Sequence, residues 1–176
     1  MAPKNLTFKI ILGSSSMARR KILADMGYEF ALMTADIDEK SIRKDNAEEL
    51  VVALAEAKVA LYQGIIREKP SSKEEARHFI KCYSGGQATV VGSVVVTNLT
   101  KGIRKGAWER SEVYFHDIPD EVIDSLIEEG IILNVAGGLM LEHPLTLPFV
   151  DTVIGTADSV MGLPRSLTEK LIQEAL

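Results

Sequence analysis

An apolar segment that runs into small residues and then into a basic helix is the feature that most constrains this chain. Residues 8–12 predict a buried strand, and apolar residues recur at helical spacing from Met17 to Met26, where Gly27 ends the helix. Between them lies the turn Gly13-Ser-Ser-Ser16. Helix N-terminal N–H groups, hydroxyls and guanidinium groups bind phosphate oxygens, so this turn fits an anion site. Serine is also among the commonest helix caps, so a plain structural turn is the alternative.

Length, composition and charge limit the possible fold classes and partners. A chain of 176 residues with 46% hydrophobic content predicts one well-cored α/β domain over residues 1–176. The net charge of −5, with acids and bases mixed, argues against a nucleic-acid partner. Neither a membrane-length apolar run nor a signal sequence is visible, so we expect no membrane partner and a cytoplasmic location. Cys82 is the only cysteine, which excludes an intramolecular disulfide.

Helix and strand signals alternate along the chain. Asn46 and Glu49 form a capping-box pattern, and Leu50, Leu54 and Lys58 share one side of the helix that it opens. The other expected elements are a short strand over 30–33, a helix from Ser72 to Tyr83, antiparallel strands over 89–97 and 105–115, a helix over 119–129 that ends at Gly130, and a last helix from Pro164 to Leu176.

Three charged positions are candidates for phosphate chemistry. Glu39, beside Asp36 and Asp38, has the oxygen chemistry of a Mg²⁺ ligand, although an acidic turn in solvent is the simpler explanation from sequence alone. Lys58 shares a helix side with leucines, which is consistent either with a cleft or with the edge of a core. Lys69 precedes a proline and is therefore extended, as a phosphate ligand or in an ordinary loop.

Seven short motifs occur in one order along nearly the whole chain. They are Leu12-Gly-Ser14-Ser-Ser16-Met-Ala-Arg19-Arg20, Asp36-Ile-Asp-Glu39, Leu54-Ala-Glu-Ala-Lys58, Glu68-Lys69-Pro70, Ser84-Gly85, Ala136-Gly137 and Gly162-Leu-Pro164. In this order they resemble the Maf family of nucleoside triphosphate pyrophosphatases, which share an architecture with inosine-triphosphatase-like enzymes. The resemblance implies a two-lobed α/β fold with a central mixed sheet and a cleft between the lobes.

The resemblance also implies roles for these residues. The family removes noncanonical or modified nucleotides by splitting the bond between the α- and β-phosphates, with Mg²⁺ or Mn²⁺ as cofactor. The implied substrate-binding residues are Ser14, Ser16, Ala18, Arg19, Arg20 and Glu142, the implied metal ligand is Glu39, and the implied catalytic residues are Lys58 and Lys69. The expected partner is a nucleoside triphosphate, and the oligomeric state stays open between a monomer and a homodimer.

One departure from the family pattern lies between Lys58 and Tyr62. The family places a strand there that ends in Asp-Gln, and its aspartate accepts a proton from the attacking water. This chain has no aspartate between Asp45 and Asp117, which looks like an internal deletion from splicing or from a gene-model error. A general base contributes about 10²- to 10⁴-fold to rate. The alternatives to an active enzyme are therefore a nucleotide-binding isoform with impaired catalysis and a nonfunctional splice product.

Glu142 bears on substrate choice. Members of the family that prefer thymidine or uridine triphosphate carry glutamine at this position, whereas those acting on 7-methyl-GTP carry glutamate. A carboxylate accepts from the two adjacent N–H donors of a guanine edge, which favours a modified guanine nucleotide. Ala18 stands where the 7-methyl-GTP branch tends to place a tryptophan that would stack on the base. The alternative for Glu142 is an exposed loop acid.

Overall fold

The chain folds as an α/β protein, which confirms the predicted class. The computed structural model describes residues 8–33, 58–62 and 65–176. Its strands are β1 (Ile10–Leu12), β2 (Phe30–Leu32), β3 (Lys58–Tyr62), β4 (Ile65–Arg67), β5 (Gln87–Asn98), β6 (Ile103–Phe115) and β7 (Val150–Ile154), and its helices are α1 (Met17–Asp25), α2 (Lys73–Tyr83), α3 (Asp120–Glu129), α4 (Ala157–Val160) and α5 (Arg165–Ala175). Short 3₁₀ turns cover Ile131–Asn134, Ala136–Gly138 and Leu147–Phe149.

The strands form two sheets. The larger sheet has the order β4-β3-β5-β6-β7 and every neighbouring pair in it is antiparallel, whereas β1 and β2 form a separate parallel pair. The described strands therefore include both antiparallel and parallel pairs, and among them no hydrogen-bonded ladder joins β1 to β5.

The prediction that Lys58 lies on a helix is wrong. Lys58 opens β3, where it pairs with Gly92 of β5, and the strand then forms a hairpin with β4. Val59, Leu61 and Tyr62 favour strands, and pairing on both sides outweighs the helical spacing of the residues before them. The expected capping box at Asn46, like Glu39 and its acidic neighbours, lies outside the described residues.

Helix ends follow the sequence signals closely. The Ser72 hydroxyl accepts from the Glu75 N–H at 3.1 Å, so Ser72 caps the helix that the sequence predicts to start there. In a capping box the acidic side chain accepts in return from the N–H of the capping residue. Here the Glu75 carboxylate accepts from the N–H and hydroxyl of Ser71, one residue earlier. Gly130 ends α3 with a φ of 71°, in the left-handed conformation that glycine adopts at least cost.

Two hydrophobic clusters hold these elements together. In the first, α2 and α3 pack against the sheet at Val90 and Val113. In the second, α1 and α5 pack near Val94, so β5 contributes to both clusters. The predicted inward positions Leu171 and Ile172 of α5 are buried in the second cluster.

The N-terminal segment is less buried than expected. Ile11 of β1 is 47% exposed and Met17 at the start of α1 is 74% exposed. The buried part of α1 is its second half, and Tyr28 just after it donates a hydrogen bond to the Glu169 carboxylate of α5 at 2.7 Å. None of the helices described is long and apolar enough to span a bilayer.

Candidate functional site

A cavity of about 770 Å³ lies between β1, the second half of β5, and α5. Most of its lining is apolar and comes from strand residues such as Ile10, Leu12 and Val96. Ser14 and Arg19 also line the cavity, together with Gly13 and Gly162, and we call this part its polar end. The segment that the sequence singled out as an anion site therefore forms the polar end of a largely apolar cavity.

The serine turn is organised around the Ser14 hydroxyl. The Ser14 Oγ accepts from the Ser16 N–H at 3.3 Å and from the Arg19 Nη1 at 3.3 Å. The Ser16 Oγ accepts from the Arg19 N–H at 3.4 Å and so caps α1, as its position predicts. Because Ser14 uses its oxygen in both contacts, its O–H can still donate to an anion that enters the cavity.

The Arg19 guanidinium also lies against Gly162. A Cβ built on Gly162 would stand 3.2 Å from Arg19 Nε, and the Gly162 φ of +102° disfavours any other residue. The Gly162-Leu-Pro164 motif thus contacts the first motif from the far end of the chain. Both residues line the cavity, so Ser14 and Gly162 hold one guanidinium group at its polar end.

Asp158 fixes the turn that carries Gly162. Its carboxylate accepts from the Arg165 N–H at 2.6 Å, while the Gly162 N–H donates to the Asp158 carbonyl at 3.0 Å. Burial by itself would raise the pKa of Asp158, but hydrogen bonds to its carboxylate from the Arg165 backbone and the Thr156 hydroxyl outweigh this and lower the pKa. The ionised form of Asp158 therefore stabilises the turn beneath Arg19.

The remaining residues of the first motif do not line the cavity. Ser16 caps the helix, Ala18 is half-buried, and Arg20 contacts the Met17 sulfur at 3.9 Å through Nη1. The Arg20 Nε is buried and has no hydrogen-bond partner among the described residues. Of the two arginines proposed for phosphate binding, the structure thus brings Arg19 to the cavity and leaves Arg20 beside it.

Lys69 and the late Ala-Gly turn lie next to each other. The Glu68 carbonyl accepts from the Gly137 N–H at 2.8 Å, and the ring of Pro70 packs near Gly138. Lys69 is exposed and does not line the cavity. The Lys-Pro motif and the Ala-Gly motif therefore form a second group of contacting residues, separate from the cavity lining.

Glu142 follows that turn on the surface. It is exposed, whereas the next residue, His143, is buried and places its Nε2 2.9 Å from a Glu129 carboxylate oxygen. His143 fixes the backbone beside Glu142, because the Leu145 N–H donates to its Nδ1 at 3.2 Å. Glu142 does not line the cavity, so its role as a base-reading residue stays a prediction.

Sequence reasoning missed a buried arginine. Arg67 is 5% exposed, its Nη1 donates to the Phe79 carbonyl at 3.2 Å, and its guanidinium lies 4.5 Å from the Phe79 ring centroid. Burial opposes its charge, but hydrogen bonds to Cys82 and Tyr83 outweigh this and raise the pKa of Arg67. The only signal was its place two residues before Lys69, inside an apolar strand.

Tyr83 links this arginine to the Ala-Gly turn. Its ring lies 5.2 Å from the Arg67 guanidinium carbon, and its hydroxyl donates to the Gly137 carbonyl at 3.1 Å. Burial raises the pKa of Tyr83. The phenol therefore stays protonated and keeps donating to the turn.

The predicted metal ligand lies outside the described residues. Glu39, with Asp36 and Asp38, belongs to the part of the chain that the structure does not describe. Within 8–33, 58–62 and 65–176, no three residues with carboxylate, imidazole or thiol groups come close enough to hold a metal ion. The Mg²⁺ or Mn²⁺ prediction accordingly rests on the sequence.

Comparison with known proteins agrees with the motif order. The family model described as Maf-like protein matches residues 9–175. A 7-methyl-GTP pyrophosphatase of Dictyostelium discoideum is 34% identical over 191 residues, which covers 94% of this chain and 96% of the relative. A dTTP/UTP pyrophosphatase of Fusobacterium nucleatum is 30% identical, with 89% of this chain and 90% of the relative covered. A nucleoside triphosphate pyrophosphatase of Salinispora tropica is 27% identical, with 97% and 85% covered.

The alignments with the Dictyostelium and Salinispora proteins are longer than the chain itself. The Dictyostelium alignment spans 191 positions, and 176 residues cannot fill them, so at least 15 positions are occupied in the relative only. The alignment with the Salinispora protein spans 193 positions, which requires the same conclusion. Both relatives therefore carry residues, within the aligned region, that this chain lacks.

Proposed function

This chain belongs to the Maf-like family, and on that premise we propose that it is a nucleoside triphosphate pyrophosphatase, or a nucleotide-binding form of one. The reaction would split the bond between the α- and β-phosphates of a noncanonical or modified nucleotide and release a nucleoside monophosphate and pyrophosphate. The observation that carries the proposal is the polar end of the cavity, where Ser14 and Gly162 hold the Arg19 guanidinium.

Arg19 would be the main phosphate ligand. A guanidinium that is already fixed by neighbours loses little side-chain freedom when it binds an anion, and its fork suits two phosphate oxygens. The Ser14 hydroxyl would donate to the same group. Ser16 would contribute by capping the start of α1, and Arg20 would add positive charge next to the cavity.

Lys58 and Lys69 would offset the negative charge that develops on the phosphates. Lys58 stands at the first position of β3, opposite Gly92, and the backbone of β5 continues from there along the cavity. Lys69 is exposed beside the Ala-Gly turn. A positive charge placed where a transition state gains negative charge lowers the barrier.

A divalent ion, Mg²⁺ or Mn²⁺, is part of the proposal, with Glu39 as its ligand. Such an ion would neutralise phosphate charge and polarise the scissile group. The phosphate-binding groups assigned in the described residues are cations and hydroxyls, so the proposed metal ligand is the Glu39 carboxylate of the acidic loop.

The nucleotide is proposed to carry a modified guanine, such as 7-methyl-GTP. Glu142 offers a carboxylate for the guanine edge, and the 34% identical Dictyostelium relative bears the name of that activity. The dTTP/UTP pyrophosphatases among the relatives make pyrimidine triphosphates the competing substrates.

Impaired catalysis is the second candidate. It is favoured by the residues that the relatives carry and this chain lacks, since the family pattern places its general-base aspartate at the end of a strand after Lys58, whereas β3 occupies that place here and contains no aspartate. In that case the chain would bind nucleotide through Arg19 but turn it over at least about 10²-fold more slowly than a relative that keeps the base.

One pair of variants tests the proposal. Calorimetry with 7-methyl-GTP, UTP and dTTP measures binding, and pyrophosphate release measures turnover, for the wild type, Arg19→Ala and Arg104→Ala. Arg104 is an exposed β6 arginine that does not line the cavity. We expect Arg19→Ala to weaken binding by roughly 10- to 150-fold, the effect of about 1.5 to 3 kcal/mol, and Arg104→Ala to have no effect. Equal affinity in all three proteins would refute the phosphate site.

A further inference from the structure

We propose that Tyr83 and Arg67 are positioning residues for Lys69. In this role they hold the backbone from which Lys69 extends against the Ala-Gly turn at Gly137. The proposal deepens the proposed function and rests on it, because Lys69 is assigned there to the charge of the nucleotide phosphates. The contacts on either side of Lys69, the Tyr83 hydroxyl and the buried Arg67 guanidinium support it.

The backbone around Lys69 is fixed on both sides. Before it, the Glu68 carbonyl accepts from the Gly137 N–H at 2.8 Å. After it, Pro70 is buried, and a Cβ built on Gly138 would stand 3.6 Å from the Pro70 Cγ. Lys69 itself is exposed between these two contacts. The position of its ammonium group therefore depends on where the Ala-Gly turn holds the chain.

Tyr83 holds the Ala-Gly turn from the core. Its hydroxyl donates to the Gly137 carbonyl at 3.1 Å, so both backbone polar groups of Gly137 are hydrogen-bonded, one to Tyr83 and one to Glu68. The Tyr83 side chain is 1% exposed, and its ring is stacked on that of Phe115 at a centroid distance of 6.2 Å. A ring that is fixed in the core thus determines the place of the turn.

Arg67 in turn holds the Tyr83 ring. Its guanidinium carbon lies 5.2 Å from the Tyr83 ring centroid and 4.5 Å from that of Phe79, and its Nη1 donates to the Phe79 carbonyl at 3.2 Å. Arg67 is the last residue of β4 and pairs there with Ala60 of β3. A guanidinium is planar and donates in fixed directions, so it orients the groups around it, whereas an apolar side chain would only pack against them.

These contacts close into a loop of connected groups. The covalent chain leads from Arg67 through Glu68 to Lys69. Non-covalent contacts lead from Arg67 through Tyr83 to Gly137, and the Gly137 N–H returns to Glu68. Removal of the Tyr83 hydroxyl therefore loosens the turn that holds Glu68, and Lys69 shifts with its neighbour. Stabilisation of phosphate charge depends on a fixed position of the cation, so this shift weakens the contribution of Lys69.

Tyr83→Phe tests the role, because it removes the hydroxyl and keeps the ring. Tyr28→Phe is the matched control. Tyr28 is 5% exposed, its hydroxyl donates to the Glu169 carboxylate at 2.7 Å, and it does not line the cavity. Calorimetry uses whichever of 7-methyl-GTP, UTP and dTTP the wild type binds most tightly. We expect Tyr83→Phe to weaken binding by about 3- to 10-fold, the effect of one hydrogen bond, and Tyr28→Phe to leave it unchanged, although both lower the Tm.

A double-mutant cycle with Lys69→Ala separates positioning from a general loss of stability. If Tyr83 acts through Lys69, Tyr83→Phe should cause no further loss of affinity in the Lys69→Ala protein. Amide hydrogen exchange tests the turn without nucleotide. The Gly137 amide should exchange about 3- to 10-fold faster in Tyr83→Phe than in the wild type and at the wild-type rate in Tyr28→Phe.

The possible failures are distinguishable. An unchanged affinity in Tyr83→Phe or in Lys69→Ala, an unchanged exchange rate at Gly137, or an equal effect of Tyr83→Phe with and without Lys69 would overturn the positioning role. Any of these results together with weakened binding by Arg19→Ala would leave the proposed function intact. A wild-type protein that binds none of the three triphosphates would refute the proposed function, and the positioning role with it.

Discussion

Replacing Gly162 by alanine should weaken both the fold and nucleotide binding. The added Cβ would stand 3.2 Å from Arg19 Nε, and the backbone φ of +102° is one that residues with a Cβ rarely adopt. Backbone strain of this kind costs about 1 to 3 kcal/mol. In a protein of this size each kcal/mol lowers the Tm by about 2 to 4 °C, so we expect a fall of roughly 2 to 12 °C.

The effect on binding has a separate origin. Moving the Arg19 guanidinium by a few tenths of an ångström weakens its 3.3 Å contact with the Ser14 hydroxyl and removes the fixed position on which the phosphate site depends. If the charge-assisted contact is lost, affinity for a nucleoside triphosphate falls by up to about 150-fold, the equivalent of roughly 3 kcal/mol.

Gly102→Ala is the matched control. Gly102 also has a positive φ, +67°, but a Cβ there meets no atom within 4 Å. Thermal unfolding and calorimetric titration of both variants separate strain from contact. Gly102→Ala should lower the Tm slightly and leave affinity unchanged, whereas Gly162→Ala should lower both. Unchanged affinity in a folded Gly162→Ala protein would refute the idea that this turn positions a phosphate-binding arginine.

Three further changes have defined outcomes. Glu142→Gln should lower the affinity for 7-methyl-GTP relative to UTP in competition calorimetry, because an amide offers one acceptor oxygen where a carboxylate offers two for a pair of adjacent N–H donors. Unchanged relative affinities would show that Glu142 is only an exposed loop residue. Arg67→Met should lower the free energy of unfolding, measured by denaturant titration, by about 1 to 3 kcal/mol, because the Phe79 carbonyl loses the hydrogen-bond donor of the buried Arg67. A decrease in this free energy no larger than that caused by Arg104→Met would contradict this. Asp158→Asn should lower the free energy of unfolding at neutral pH. The pKa of Asp158 is lower in the folded state, so the ionised carboxylate stabilises the fold fully above its unfolded pKa, and this stabilisation disappears as the pH falls below about 4. A difference in stability between variant and wild type that persists in acid would contradict this.

Local signals in the sequence predicted the parts of the fold that depend on neighbouring residues. Ser16 caps its helix, and Gly130 ends α3 in the left-handed conformation. The valine-rich strand and its antiparallel return also appear where they were expected, because strand preference and a turn lie next to each other in the chain. Each of these features is decided by contacts within a few residues.

Features decided by distant contacts were not predictable in the same way. Lys58 follows a helical spacing, yet β4 and β5 turn its segment into a strand. The Gly162 motif was recognised in the sequence, but its contact with Arg19 joins residues 143 positions apart. The burial of Arg67 depends on rings from α2, and the short apolar strand of Arg67 gives no information on where those rings lie.

β5 also determines how the protein can unfold. Val90 belongs to the first hydrophobic cluster and Val94 to the second, and four residues of strand separate them by only about 13 Å. Loss of either cluster therefore releases a strand on which the other depends. The two hydrophobic clusters should melt in a single transition, and partial opening should begin at the short β1–β2 pair, which shares no hydrogen-bonded ladder with β5 among the described residues.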